Sequence, residues 1–347
     1  MIETAKPVAV AVIGAGRMGS LYSQLANELA LTRLIAICSD HPENTLRVAE
    51  ALGVPGYSGC RYEEMLDRHP EIEAVVVSTP EWVHFAPVMA SLRAGKHVLV
   101  EKPLAISPAE AWEMTAAAHD LKRTLMVCHS LRFNPRFAIM KETVAKGEIG
   151  NVVHMYARRN SLQPAVDRVL GRFPLAYWLA PHDIDMMMWT TGSPAVSVHA
   201  RSKAGGADRT DFLIANLRFE NGALGVLESS WCTPGFAGRP LNELFTVRGD
   251  AGMIEVVGHE QGLAVYTGHH TVTYPDTCHA PVIHGQTEGP YRSLLRHFAG
   301  AVRKLWPPLM SGADAAAVID VAFALQKSLE TGREIAVESR NRAAAPA

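Results

Sequence analysis

Gly14, Gly16 and Gly19 form a GxGxxG directly after the apolar run Val8–Ile13 and at the start of a helical stretch. In that setting the first glycine permits a tight turn, the second lets a pyrophosphate reach the backbone, and the third allows close helix–strand packing. The first helical turn, Arg17, Met18 and Gly19, then offers N–H groups and a positive dipole end to phosphates. The chemistry implied is dinucleotide binding. A second group is Glu101-Lys102-Pro103, which follows the apolar run starting at His97. Open α/β sheets bind ligands at the carboxyl ends of their strands. Pro103 restrains the backbone around Lys102, so that its ammonium projects from a rigid turn. Thr79-Pro80, at the end of the preceding strand, and His84 wall the same edge. An ammonium there can stabilise a developing alkoxide or polarise a ketone. A side chain able to take up a proton near neutral pH is that of His182. Pro181 puts it in the first turn of a helix, where the dipole favours neutral imidazole. Asp185, one turn later, shares its face and can orient the ring.

The acidic residue that holds an adenosine ribose is expected at the end of the second strand, which reads Cys38-Ser39-Asp40-His41. Ser39 leaves room for a 2′-phosphate, whereas Asp40 repels one, and Arg17 or Arg47 could reach one. No cationic cluster follows the strand, which favours NAD while leaving NADP open. Arg132 and Asn134 follow the last strand of this half and can reach a substrate or brace the domain junction. Arg158 and Asn160 share a strand face with His154 and Tyr156, opposite Arg159. They can bind substrate, or belong to a solvated sheet face or an oligomer contact. Tyr291 is a further candidate for substrate binding. His259, His269, His270, Cys278, His279 and His284 repeat no ligand spacing, so no metal is expected.

These groups need elements to hold them. Up to about residue 130 short apolar runs alternate with helical stretches. Strands are expected at Val8–Ile13, Leu34–Cys38, Ala74–Val77, His97–Val100 and Leu125–Cys128. Helices are expected at Met18–Leu29, Glu43–Leu52, Tyr62–Arg68, Trp82–Arg93 and Pro108–Lys122. That rhythm predicts a doubly wound parallel sheet. Beyond it, after a helix near Pro135–Lys146, alternating segments dominate, with turns at Glu220–Ala223 and Gly268–His270. A helix from His182 to Thr191 interrupts them, and two more close the chain. The expectation is an α+β domain over 131–337 with a large, mainly antiparallel open sheet, following a Rossmann domain over 1–130. A tail over 338–347 is expected to be disordered.

Composition narrows the class. The 347 residues carry 33 Lys plus Arg against 35 Asp plus Glu, a formal charge of −2 without basic runs. This argues against nucleic acid or an anionic membrane surface as partner. No apolar stretch is long enough to cross a bilayer. Five cysteines without a CxxC pair argue against a disulfide framework or zinc ribbon. Met1 to Pro7 lacks the segments of a signal peptide, so a cytoplasmic protein is expected.

The stretch Ala94-Gly95-Lys96-His97-Val98-Leu99-Val100-Glu101-Lys102-Pro103 resembles the AGKHVxxEKP segment of the Gfo/Idh/MocA family. The GxGxxG, Thr79-Pro80 with His84, Arg132-Phe133-Asn134-Pro135, Gly147-Glu148-Ile149-Gly150 and His182-Asp183-Ile184-Asp185 match it in the same order. The resemblance implies an NAD(P)-dependent oxidoreductase acting on a secondary hydroxyl of a sugar, glycoside, inositol or related polyol. It implies Lys102 and His182 as catalytic groups. Where the family often has an Asp four residues before this His, the chain has Trp178, a position beside the substrate; Asp183 or Asp185 could supply the carboxylate. Two variants stay open: a glycoside-cleaving enzyme that oxidises transiently, and a non-catalytic NAD-sensing regulator. A homodimer or homotetramer through the second sheet is expected.

Overall fold

The computed structural model describes residues 6–162, 174–206, 209–234, 241–258, 263–266, 272–273 and 275–338. The chain divides into two compact units, 1–130 with 282–316, and 131–281 with 317–347. The Gly268–His270 turn, His259 and the tail beyond Glu338 lie outside the described residues.

The first unit is built on six strands: β1 (Val8–Ile13), β2 (Thr32–Ser39), β3 (Gly56–Ser58), β4 (Ala74–Val77), β5 (His97–Glu101) and β6 (Leu125–Cys128). Their order is β3-β2-β1-β4-β5-β6, with every neighbouring pair parallel. Strand order reverses between β1 and β4, the switch point where such sheets take ligands. β1 and β4 are buried throughout, as unbroken apolar runs covered on both faces should be. β3 was not expected, because three residues carry too little pattern to register. The helices are α1 (Arg17–Glu28), α2 (Pro42–Leu52), α3 (Tyr62–Arg68), α4 (Phe85–Arg93) and α5 (Pro108–Asp120). The expected Trp82–Arg93 helix divides into a 3-10 turn, Glu81–Val83, and α4. Pro87 has no N–H to give, so it is tolerated only in a first helical turn, and α4 starts accordingly at Phe85.

The second unit holds α6 (Pro135–Ala145), β7 (Val152–Leu162), α7 (Leu175–Trp178), α8 (Ala180–Thr191), β8 (Ala195–Gly206), β9 (Arg209–Phe219), β10 (Leu224–Thr233), β11 (Leu241–Gly249) and β12 (Met253–Val257). The sheet runs β12-β11-β7-β10-β9-β8, ending on the short strand Ile335–Ala336. All pairs are antiparallel except β7 with β10. Burial along β7 alternates: Met155, Ala157, Arg159 and Ser161 are buried, and the residues between them are half-buried. The buried face meets helices, with the rings of Phe137 on α6 and Phe245 on β11 set edge to face at 5.8 Å. α8 ends at Gly192, whose φ of +63° suits glycine at a helix C-terminus. The helices α9 (Pro290–Val302) and α10 (Gly312–Thr331) follow, as the two closing helices expected.

Candidate active site

In the first unit each glycine of the GxGxxG has its own reason. Gly14 has φ +105°, and a Cβ there would run into the Ser78 carbonyl at the end of β4. A Cβ on Gly19 would collide with the Gly14 carbonyl, so this glycine lets α1 sit against the turn. Gly16 is different: a Cβ would meet nothing within 4 Å. It is exposed and caps α1 without any side-chain hydrogen bond, and the first-turn N–H groups of a helix have no partner within it. This is the cradle a pyrophosphate needs. Beside it, Thr79 Oγ1 is buried and has no hydrogen-bond partner among the described residues. A buried hydroxyl without a partner costs stability, which a bound polar ligand would recover. β2 ends at Ser39, which is buried, and Asp40 follows, exposed, with the Cys60 thiol donating to its carboxylate. Arg17 and Arg47 are exposed.

Lys102 is carried on a turn fixed from two sides. His84 is buried, with Nδ1 2.9 Å from the Pro103 carbonyl and Nε2 3.0 Å from that of Thr79. It ties the loop after β4 to the loop after β5, and burial lowers its pKa so that the ring stays neutral. The Lys102–Pro103 peptide is cis. On the other side, Glu101 accepts from the Lys102 backbone N–H at 3.1 Å and from the Tyr22 hydroxyl at 2.8 Å. Tyr22 is fully buried on α1, its ring edge to face with Tyr291 at 6.1 Å. Tyr291 also bonds to the Ser130 side chain, and burial raises its pKa. Burial likewise raises the pKa of Glu101, against the pull of the Lys102 charge. Glu81 is a residue the sequence reading missed: burial raises its pKa, and the Lys102 charge opposes this. Its only signal was its place directly after Thr79-Pro80.

In the second unit His182 sits in the first turn of α8, half-buried, as Pro181 requires. Its neighbours are anchored. Asp183 receives Arg159 Nε and Nη2, each at 2.9 Å, and Arg159 Nη1 reaches Glu243 on β11 at 2.6 Å. Burial pulls the Arg159 pKa down, but the two carboxylates outweigh this and raise it. Asp185, wholly buried, receives Arg132 Nη2 at 2.6 Å and Nε at 3.1 Å, and Trp189 lies under the same guanidinium at 5.2 Å. Both carboxylates therefore hold the helix rather than stand open beside His182. Asn134 is buried and accepts from the Arg136 N–H at 3.1 Å as the N-cap of α6. Trp178, half-buried, packs against Trp231.

Arg158 and Asn160 are not brought to His182. Arg159 faces α8, so its neighbours on β7 project from the opposite side of the sheet. There Asn160 donates to Glu228 at 2.7 Å and accepts from Ser230 at 2.8 Å, while Tyr156 donates to Glu228 at 2.7 Å. Among the described residues no group of three or more His, Cys, Asp or Glu could hold a metal ion, and no helix is long and apolar enough to cross a membrane.

Two family models match the chain. Residues 8–129 match the GFO_IDH_MocA oxidoreductase family, NAD-binding Rossmann fold, and residues 137–255 match the GFO/IDH/MocA C-terminal domain. Among curated proteins, the chain is 26% identical to the myo-inositol 2-dehydrogenase of Thermotoga maritima, over 95% of this chain and 98% of the relative. It is also 26% identical to the scyllo-inositol 2-dehydrogenase (NAD(+)) of Bacillus subtilis, covering 95% and 96%. Among solved structures, the scyllo-inositol dehydrogenase of Lactobacillus casei with bound NAD(H) and scyllo-inositol superposes with a TM-score of 0.81. The sequence identity is 19%, and 96% of this chain and 99% of that chain are covered.

Proposed function

The chain belongs to the GFO/IDH/MocA oxidoreductase family, with an NAD-binding Rossmann domain, and from that premise we propose that it oxidises a secondary hydroxyl of a cyclitol, sugar or related polyol. NAD, when bound, supplies the hydride acceptor. Gly14, Gly16 and the first turn of α1 would hold its pyrophosphate, and Asp40 its adenosine ribose. Thr79 would give its buried hydroxyl to the same ligand. His84 and Glu101 keep the Lys102 turn in one conformation. Lys102 holds the hydroxyl oxygen and stabilises the negative charge that develops there. His182 takes the hydroxyl proton. Arg132 and Asp185 act on the substrate through the placement of α8, and Asn134 through α6. The inositol dehydrogenases among the relatives support a cyclitol or sugar ring as substrate.

The observation that carries this reading is the convergence, at one sheet edge, of the open cradle at Gly16, the partnerless Thr79 hydroxyl and the braced Lys102 turn. The test is a screen of inositols, sugars and glycosides with NAD and with NADP, followed at the absorbance of the reduced nicotinamide. Turnover with NAD is expected. A chain that binds NADH yet reduces NAD with no ring polyol would overturn the reading and leave the NAD-sensing regulator.

We further propose self-association through the outer face of the second sheet. Ile214, Leu224 and Met253 share that face with Tyr156 and Glu228 by strand register, and they are 38%, 51% and 51% exposed. A particle of two or four chains is expected in solution; a monomeric mass at micromolar concentration would contradict it.

A further inference from the structure

Between Leu175 and Met187 the chain is buried at every position but two, Trp178 and His182. The backbone continues right-handed between them, with Leu179 at φ −99° and ψ −43°. Four residues apart on such a path, the two side chains lie on the same side of the helix. Trp178 is also backed: its ring tilts 39° against that of Trp231, with centroids 6.2 Å apart, and Trp231 on β10 is only 3% exposed. A half-buried indole held from behind presents a flat, pre-positioned apolar surface. No carboxylate of α8 competes for that rim, since Asp183 and Asp185 are buried in their ion pairs with Arg159 and Arg132.

An indole accepts no conventional hydrogen bond and donates one from Nε1, so its face is a poor neighbour for a hydroxyl. It is a good one for C–H groups, whose slight positive charge meets the negative ring face. A six-membered ring whose hydroxyls are all equatorial has axial C–H groups on each face. We propose that Trp178 is the specificity-determining residue of this enzyme. It stacks on the axial C–H face of an all-equatorial cyclitol or pyranoside whose reacting hydroxyl meets His182, and it rejects epimers that place an axial hydroxyl on that face. The inference rests on the functional reading above, in that it takes His182 to touch the substrate.

The test is steady-state kinetics at saturating NAD with two all-equatorial rings, scyllo-inositol and methyl β-D-glucopyranoside. Each is compared with an epimer bearing one axial hydroxyl. The wild type is expected to favour the all-equatorial rings in kcat/KM by about tenfold, the scale of one good aromatic contact. Trp178→Ala should raise KM for them by about tenfold, move kcat less than about threefold, and flatten the preference. Trp178→Phe should retain most of it, and Trp178→Leu, which keeps bulk without a π face, should not. The Leu variant answers the question if the Ala variant fails to fold. A wild type that turns these rings over, paired with Ala and Leu variants of unchanged KM and preference, overturns the inference alone. A wild type that binds NADH but oxidises no ring polyol overturns the inference and the functional reading together.

Discussion

The turn that carries Lys102 and the helix that carries His182 are fixed by opposite means. Around Lys102 the bonds reach backbone groups or neutral side chains: His84 lies against two carbonyls, and Glu101 bonds the Lys102 N–H and the Tyr22 hydroxyl. Around His182 the bonds are buried ion pairs, Arg159 with Asp183 and Glu243, and Arg132 with Asp185. In both places the residues next to Lys102 and His182 are pinned. The difference lies in what failure costs. A lost neutral hydrogen bond removes about 1 kcal/mol, whereas one partner deleted from a buried ion pair leaves an uncompensated charge. The Lys102 turn is therefore open to gradual adjustment, and the α8 anchor fails all at once.

Mutations can break that comparison. Lys102→Ala should cut NAD reduction by about 10²–10³-fold with NADH affinity retained, since it removes charge stabilisation without disturbing the clamp; stopped-flow turnover and NADH fluorescence separate the two. Asp183→Ala should destabilise the protein by about 3–5 kcal/mol, because Arg159 keeps a buried charge with half its partners gone. Denaturant unfolding reads this directly, and a loss under about 1 kcal/mol would mean the α8 anchor is not the buried pair described. Tyr22→Phe should cost only about 1 kcal/mol and lower kcat several-fold without moving the unfolding slope.

The mildest effect is expected from acid. His97 accepts from the Thr124 N–H at 2.9 Å, and burial, helped by the Arg123 charge, lowers its pKa to about 4. The unfolded chain binds that proton first, near the ordinary value of 6.5. Stability is thus full above about 6.5 and drains as pH falls towards 4. Glu73 follows lower down: hydrogen bonds from Arg303, at 2.7 and 2.9 Å, lower its pKa to about 2, so its share is lost between about 4.5 and 2. Thermal melts across this range should show two successive declines. His97→Gln, which keeps an acceptor but does not titrate, should remove the upper one.

Much of this was legible in advance. The pattern placed β1, β4, β6 and α3 to the residue. The GxGxxG and the Glu101-Lys102-Pro103 turn were legible too, since their chemistry depends on residues a few positions apart. Asp185 was readable only as a neighbour of His182, one turn away on the same helix. Its actual partner, Arg132, is 53 positions distant, and the Arg159 ties to Asp183 and Glu243 span 24 and 84.

The sequence by itself determined most of the elements, the dinucleotide turn and the family, all of which are written in short windows or in the order of motifs. Only the tertiary structure decided which carboxylates are anchors, that Tyr291 returns to brace Tyr22, and that Trp178 and His182 alone surface from a buried segment. The physical reason is that burial and ion pairing depend on strand register and helix packing. These bring together residues whose spacing along the chain carries no pattern.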